Sequence, residues 1–269
     1  MIRMRHKLLF IIAALGLMTA CGSQGDSPVT MVSHTYTLHT QDTLNPLTVL
    51  YMNFKVEWPC REDSAVEAIR RDVTARLFGV DAVDRTIEEA MLLYSDTLRR
   101  QYREEFAIDE SVDPEEGDYG KIYHDMVLSI DDPCECFLNF EMYEEESNSF
   151  APHGTHETYY YCYDRRSGEW ITEDKLFQGD YQPVLTKLIT EAIWRSYRSR
   201  GAVGSLEQIG LDVEQAEPNG NFYISEDCIT YFYQENEIGC YAAGPQTAVV
   251  QLEDMRAYLR DTTIIHHHE

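Results

Sequence analysis

Asn221-Phe-Tyr-Ile-Ser-Glu-Asp-Cys-Ile-Thr-Tyr-Phe-Tyr-Gln-Glu-Asn-Glu-Ile-Gly-Cys-Tyr-Ala-Ala-Gly-Pro245, continued by Gln246-Thr-Ala-Val-Val-Gln-Leu252, reads as an antiparallel meander. Phe222, Ile224 and the run Ile229 to Tyr233 are β-branched or aromatic, and Gln234-Glu235-Asn236 is polar enough to turn the chain. The return strand is expected at Ile238 to Tyr241, and a further short strand at Thr247 to Leu252. Between them lies an exposed corner, Tyr241-Ala242-Ala243-Gly244, in which Gly244 tolerates positive φ and Pro245 fixes the next φ.

Upstream, Ser33 to Thr40 and Val49 to Val56 alternate as strands around a turn at Asn45-Pro46. Two helices follow. One opens at Ser64 with a capping-box pattern and repeats Val66, Ile69, Val73 and Leu77. The other opens at Thr86-Ile87-Glu88-Glu89 and carries Ile87, Met91, Tyr94, Leu98 and Tyr102 along one stripe. Tyr119 to Ile130, Cys134 to Glu144 and Glu157 to Asp164 read as strands. Asp180 to Arg200 is a third long helix with Pro183 in its first turn, and Leu252 to Leu259 a closing one. This order predicts an α+β fold of two related halves, 33–145 and 146–262, each laying helices over an antiparallel sheet.

The N-terminus predicts export. Arg3, Arg5 and Lys7 precede an apolar run, Leu8 to Met18, too short to cross a bilayer core of ~30 Å. Leu17-Met18-Thr19-Ala20-Cys21 resembles a bacterial lipobox, so residues 1–20 are expected to leave as a lipoprotein signal and Cys21 to receive the lipid. The alternative is an ordinary secretory signal cut near Ala20. Residues 21–32, rich in Gly, Ser, Asp and Pro, are expected to tether the domain. The expected location is the cell envelope, outside the cytoplasm.

The formal charge is −25, with 22 basic residues against 47 acidic ones. Loss of the leader removes three basic residues and makes it −28. Such a surface repels nucleic acid and anionic headgroups and attracts cationic partners. Solubility alone is the plainer reading of the same charge. Six cysteines remain after Cys21 (Cys60, Cys134, Cys136, Cys162, Cys228, Cys240), an even number in an exported chain. Cys228 and Cys240 flank the turn at 234–236 almost symmetrically and are the expected cross-strand disulfide.

Several runs carry residue types that could do chemistry. His153-Gly154-Thr155-His156-Glu157 inverts the His-Glu-x-x-His order of a zinc peptidase and sits in a glycine loop, so the expectation is no metal and no catalysis. Asp109 to Asp118 lacks EF-hand spacing and reads as a solvated loop. Cys134-x-Cys136 reads as disulfide chemistry and His266-His267-His268 as a tail. No phosphate loop or nucleophile elbow is present, and no cofactor is implied.

Taken together, His153 to His156, Tyr161-Cys162-Tyr163-Asp164 with Ser167-Gly168, Leu176-Phe177, Phe222-Tyr-Ile and Glu237-Ile-Gly-Cys-Tyr-Ala-Ala-Gly244 resemble the extracytoplasmic domain of the RsiV anti-sigma factor family. Residues 33–145 look like its companion domain of unknown function, found also beside PdaC-type peptidoglycan deacetylases. The chain departs from the family pattern at His153, which stands for Gly, and at Gly239-Cys240, which stand for Ala-Pro. It is expected to lack both the cytoplasmic sigma-binding segment and the deacetylase domain. The resemblance implies a non-enzymatic, lipid-anchored sensor that binds a cationic protein such as lysozyme, or cell-wall peptidoglycan. The binding face would comprise His153, Gly154, Thr155, His156, Tyr241, Ala242, Ala243 and Gly244. The competing reading of those loops is that they only close the sheet. The competing function is a metal-dependent envelope hydrolase using His153, His156 and nearby carboxylates.

Overall fold

The computed structural model describes residues 32–45, 48–60, 64–106, 120–131, 136–149, 151, 153–201, 210–211, 216–225 and 227–265. The expected leader, Cys21, the tether up to residue 31, the acidic run 109–118, Cys134 and the histidine tail lie outside them. Twelve elements carry the fold: β1 (Ser33–Asn45), β2 (Thr48–Pro59), α1 (Ser64–Phe78), α2 (Ile87–Glu105), β3 (Gly120–Asp131), β4 (Phe137–Asn148), β5 (Thr155–Asp164), a single helical turn α3 (Glu173–Leu176), α4 (Gln182–Ser199), β6 (Phe222–Ser225), β7 (Cys228–Tyr233) and β8 (Gln246–Gln251). No described helix is long and apolar enough to cross a membrane.

The α+β class holds, with two corrections. The first five strands form one sheet in order β1-β2-β3-β4-β5, and it is mixed: β2 and β3 run parallel, the other neighbours antiparallel. A parallel pair needs a long crossover, and α1 with α2 supplies it. Val66, Ile69 and Val73 of α1 and Ile87, Met91 and Leu98 of α2 cover one sheet face, against Leu50, Met52, Phe54 and Val56 of β2 and Ile122, Met126 and Leu128 of β3. The Thr86 capping box forms as the sequence predicts: Glu89 N–H donates to Thr86 Oγ1 at 3.3 Å, and Thr86 N–H to Glu89 Oε2 at 3.1 Å.

Second, the expected boundary at 145/146 falls inside β4, and the large sheet also takes in β5. The reason lies in side chains on its inward face. Tyr163 is buried in the first core and its hydroxyl donates to Asp72 Oδ2 of α1 at 2.7 Å. The halves therefore differ, with five strands under α1 and α2 and three strands, β6-β7-β8, under α4. Leu185, Ile189 and Ile193 of α4 pack on Ile229, Tyr231, Ala248 and Val250, each full burial contributing about 1.5–3 kcal/mol.

The two sheets meet through side-chain amides. Asn221 accepts from Tyr160 N at 2.8 Å and donates to Thr158 O at 2.9 Å, while Gln234 Oε1 accepts from Thr158 N at 3.0 Å. These amides occupy the hydrogen-bonding positions a sixth strand would take, which closes the β5 edge. Asn139, fully buried on β4, donates to Ile224 O of β6 at 2.8 Å.

The meander differs from expectation in its return. β7 pairs with β8, not with Ile238 to Tyr241; that segment instead makes a bridge from Gly239 to Leu211 and then a 3-10 turn over Tyr241–Ala243. The Cys228–Cys240 disulfide is consequently absent. Cys228 opens β7 opposite Gln251, whereas Cys240 lies in the connection beyond Tyr233. At about 3.4 Å per residue the length of β7 keeps them far beyond disulfide reach. The closing segment Leu252–Tyr258 is a 3-10 helix, and its buried residues Leu252 and Met255 follow that helix's three-residue period.

Candidate functional site

The two segments singled out in the sequence come together. The β4–β5 connection delivers His153 beside the β7–β8 corner, and the His153 ring meets the Tyr241 ring edge-on with centroids 5.4 Å apart. Tyr241 remains 47% exposed, and His153, Thr155 and Ala242 are exposed with it. His156 turns elsewhere: its Nε2 lies 3.3 Å from Glu235 Oε1 on the turn after β7. The two imidazoles thus have different neighbours, Tyr241 for His153 and Glu235 for His156. Among the described residues no three His, Cys, Asp or Glu side chains gather as a metal site.

Each segment is held by local chemistry. A Cβ on Gly154 would fall 2.5 Å from Glu146 O, so the backbone can cross the end of β4 only as glycine. His153, where the resembled family has glycine, needs no such freedom, since Asn236 is the one non-glycine residue with positive φ among those described. Gly244 takes φ 67 at the end of the 3-10 turn, as the sequence predicts. Beneath it the buried Gln246 donates to Ala243 O at 2.8 Å and Gly244 O at 2.9 Å, pinning the corner from inside.

Next to this face, a pocket of about 460 Å³ opens between the last turns of α2 and the adjoining ends of β3, β4 and β5. Four glutamates line it (Glu105, Glu144, Glu146, Glu157) with His124 and His156, and no Lys or Arg does. Thr155 and His156 belong both to its rim and to the predicted face. At its base Tyr102 donates to Glu146 Oε2 at 2.6 Å, and its oxygen lies 2.9 Å from His124 Nδ1. Since the Tyr102 hydroxyl proton is committed to Glu146, His124 Nδ1–H must be the donor in the second contact. Tyr94 donates to Glu144 Oε1 at 2.9 Å. His124 Nε2 sits 2.8 Å from the same oxygen.

The His124 contact holds the Glu144 carboxyl below its usual range against the opposing effect of burial. Burial, then the adjoining Glu144 and Glu146 respectively, push Tyr94 and Tyr102 well above the ordinary phenol value. Tyr159, beside Glu157, is pushed up to about 12 by burial first and that carboxylate second. The site can thus receive positive charge through carboxylates and present an aromatic contact through Tyr241.

Sequence reasoning singled out His153 to His156 and Tyr241 to Gly244 and passed over the pocket. A signal was present. His124 stands at the core parity of β3 with Ile122, Met126 and Leu128, and Glu144 and Glu146 continue the inward row of Leu138, Phe140 and Met142.

Residues 174–253 match a family described as "Protein of unknown function (DUF3298)". The match takes in Tyr241 to Gly244 and stops short of His153 to His156. A crystal structure of a DUF3298-family member from Bacteroides fragilis is similar with a TM-score of 0.71 at 22% identity, covering 88% of this chain and 97% of that one. A DUF3298-family protein from Pseudomonas aeruginosa is similar with a TM-score of 0.59 at 8% identity, over 88% and 97% of the two chains. At these identities the likeness establishes the fold. No curated protein matches.

Proposed function

We propose that this chain is a non-catalytic binding protein of the cell envelope, lipid-anchored at Cys21, that captures a cationic protein of lysozyme type. The closer relation to the RsiV sensor domain and to the deacetylase companion domain is part of the same proposal. The observation that carries it is the meeting of His153 with Tyr241 at 5.4 Å, which makes one solvent-facing patch from two segments distant in sequence. An exposed tyrosine on a pinned turn is the kind of rigid aromatic anchor on which binding energy concentrates. Glu235 beside His156 and the four glutamates of the pocket give the patch an acidic border. Complementary charge raises the rate of encounter with a basic partner and makes it sensitive to salt.

The test is a pull-down of lysozyme by the exported form of the chain at low and high ionic strength. Capture at low salt that weakens at high salt is the expected result. Absence of capture at low salt overturns the cationic-protein reading, and peptidoglycan pelleting then decides whether the face takes glycan instead.

A further inference from the structure

We propose that β1 is a docking edge for a second copy of this chain. The two β1 strands pair antiparallel about a twofold axis at Leu38 and join two five-stranded sheets into one.

The sheet edges are treated unequally. A strand with one neighbour presents a row of backbone N–H and C=O groups, and folds ordinarily blunt such an edge with Lys, Pro, a bulge, a cover or short length. β6 and β8 are short, at 4 and 6 residues. β5 is closed by the amides of Asn221 and Gln234. β1 runs 13 residues with no Lys, Arg or Pro, and it pairs with β2 alone. Its one irregularity lies at its end, between Thr43 and Asn45.

The register says which groups face the edge. Cys60 N–H donates to Val32 O at 2.8 Å, one step beyond the Ser33–Pro59 pair. Hydrogen-bonded and non-hydrogen-bonded pairs alternate along an antiparallel ladder, so His34, Tyr36, Leu38, Thr40 and Asp42 bond to β2. Thr35, His39, Gln41 and Thr43 turn their N–H and C=O the other way, toward a further strand.

Charge selects the occupant. At a formal −25, two copies of the chain repel overall. β1 carries a single acid, Asp42, held by Arg99 at 3.0 Å and Arg103 at 2.6 Å. In a pairing centred on Leu38, Leu38 faces its own copy, Tyr36 faces Thr40 and His34 faces Asp42, so no like charges oppose. Centring on His39 instead sets Tyr36 against Asp42 and forfeits the His34–Asp42 pair. The strand is thus complementary to itself, as a twofold interface requires.

The test is sedimentation velocity of the exported chain over a concentration series, with a reductant so that Cys60 and Cys240 form no covalent dimer. A reversible monomer–dimer equilibrium is expected. His39→Pro removes an edge-facing N–H from each copy and leaves the β1–β2 ladder whole, because proline is tolerated on an edge strand where its nitrogen faces away from the neighbour. It is expected to weaken the dimer at least about tenfold, with unchanged far-ultraviolet circular dichroism. Gln41→Pro replaces it should that signal be lost. His34→Glu sets a second carboxylate against Asp42 and is expected to weaken the dimer about threefold. Hydrogen exchange of the parent chain reads the edge without mutation: the His39, Gln41 and Thr43 amides are expected to gain protection as the dimer forms.

A parent chain that stays monomeric at every concentration overturns the shared edge. So does a dimer whose affinity the proline variants leave unchanged, or edge amides whose exchange is independent of concentration. A dimer indifferent to His34→Glu overturns the pairing centred on Leu38.

Discussion

Glu144 is the residue at which the chemistry of the site becomes measurable. Its folded-state pKa is depressed, first by His124 and then by the Tyr94 hydroxyl. The folded protein therefore holds that proton less tightly than the unfolded chain. Its contribution to stability is present above the ordinary glutamate value of about 4.3 and is lost as pH falls through the depressed folded value. Glu144→Gln should flatten the acid limb of a stability–pH profile measured by urea denaturation, and identical limbs would contradict the assignment. The same residue shows where sequence reading stops. His124, Glu144 and Glu146 occupy inward strand positions, yet alternation does not say which face is inward at the end of a strand whose neighbours come from elsewhere in the chain. The surface residues His153, Gly154, Tyr241 and Gly244 were legible because each carries a local signal, a glycine or an aromatic in a turn.

Among the elements, the β5 edge makes the sharpest claim. Asn221 and Gln234 pair with the backbone of Thr158 and Tyr160, so truncating Asn221 strips Tyr160 N–H of its side-chain acceptor and truncating Gln234 does the same to Thr158 N–H, both bonds part-buried. Asn221→Ala is expected to cost about 1–3 kcal/mol. The double variant with Gln234→Ala should cost more than the sum of the two single losses, because both amides donate to Thr158 O and either alone satisfies it. Additive losses in denaturant midpoints would mean that the amides do not work as a shared edge. The helices α1, α2 and α4 were readable from three- and four-residue spacing and from capping chemistry, which are local. The parallel β2–β3 pairing, the membership of β5 and the true return of β7 were not. Strand partners are chosen by packing between distant segments, and a run such as Ile238 to Tyr241 looks the same whether it pairs or bridges.

At the scale of the molecule, two ionic features dominate. Tyr94, Tyr102 and Tyr163 are pushed well up by burial, with neighbouring carboxylates adding to it, and Tyr231 is raised by burial and then Glu173. These raised folded-state values contribute stability that is full below the unfolded phenol pKa of about 10 and is lost as pH rises from there through the folded values. Alkaline unfolding followed by phenolate absorbance should therefore begin near pH 10 and be cooperative. Gradual ionisation without loss of secondary structure would contradict that account. The other feature is the acidic surface, formally −25 over the whole chain, on which the proposed basic partner of the patch around His153 and Tyr241 depends. The most direct test compares lysozyme affinity, at low salt, for the exported chain, Tyr241→Ala and Val80→Ala. Val80 is exposed on the turn between α1 and α2, at the end of α2 away from the pocket, and serves as the control. Tyr241→Ala is expected to weaken binding by about 2 kcal/mol, roughly thirtyfold, with Val80→Ala unchanged. Equal affinity for all three chains would contradict the assignment of this face.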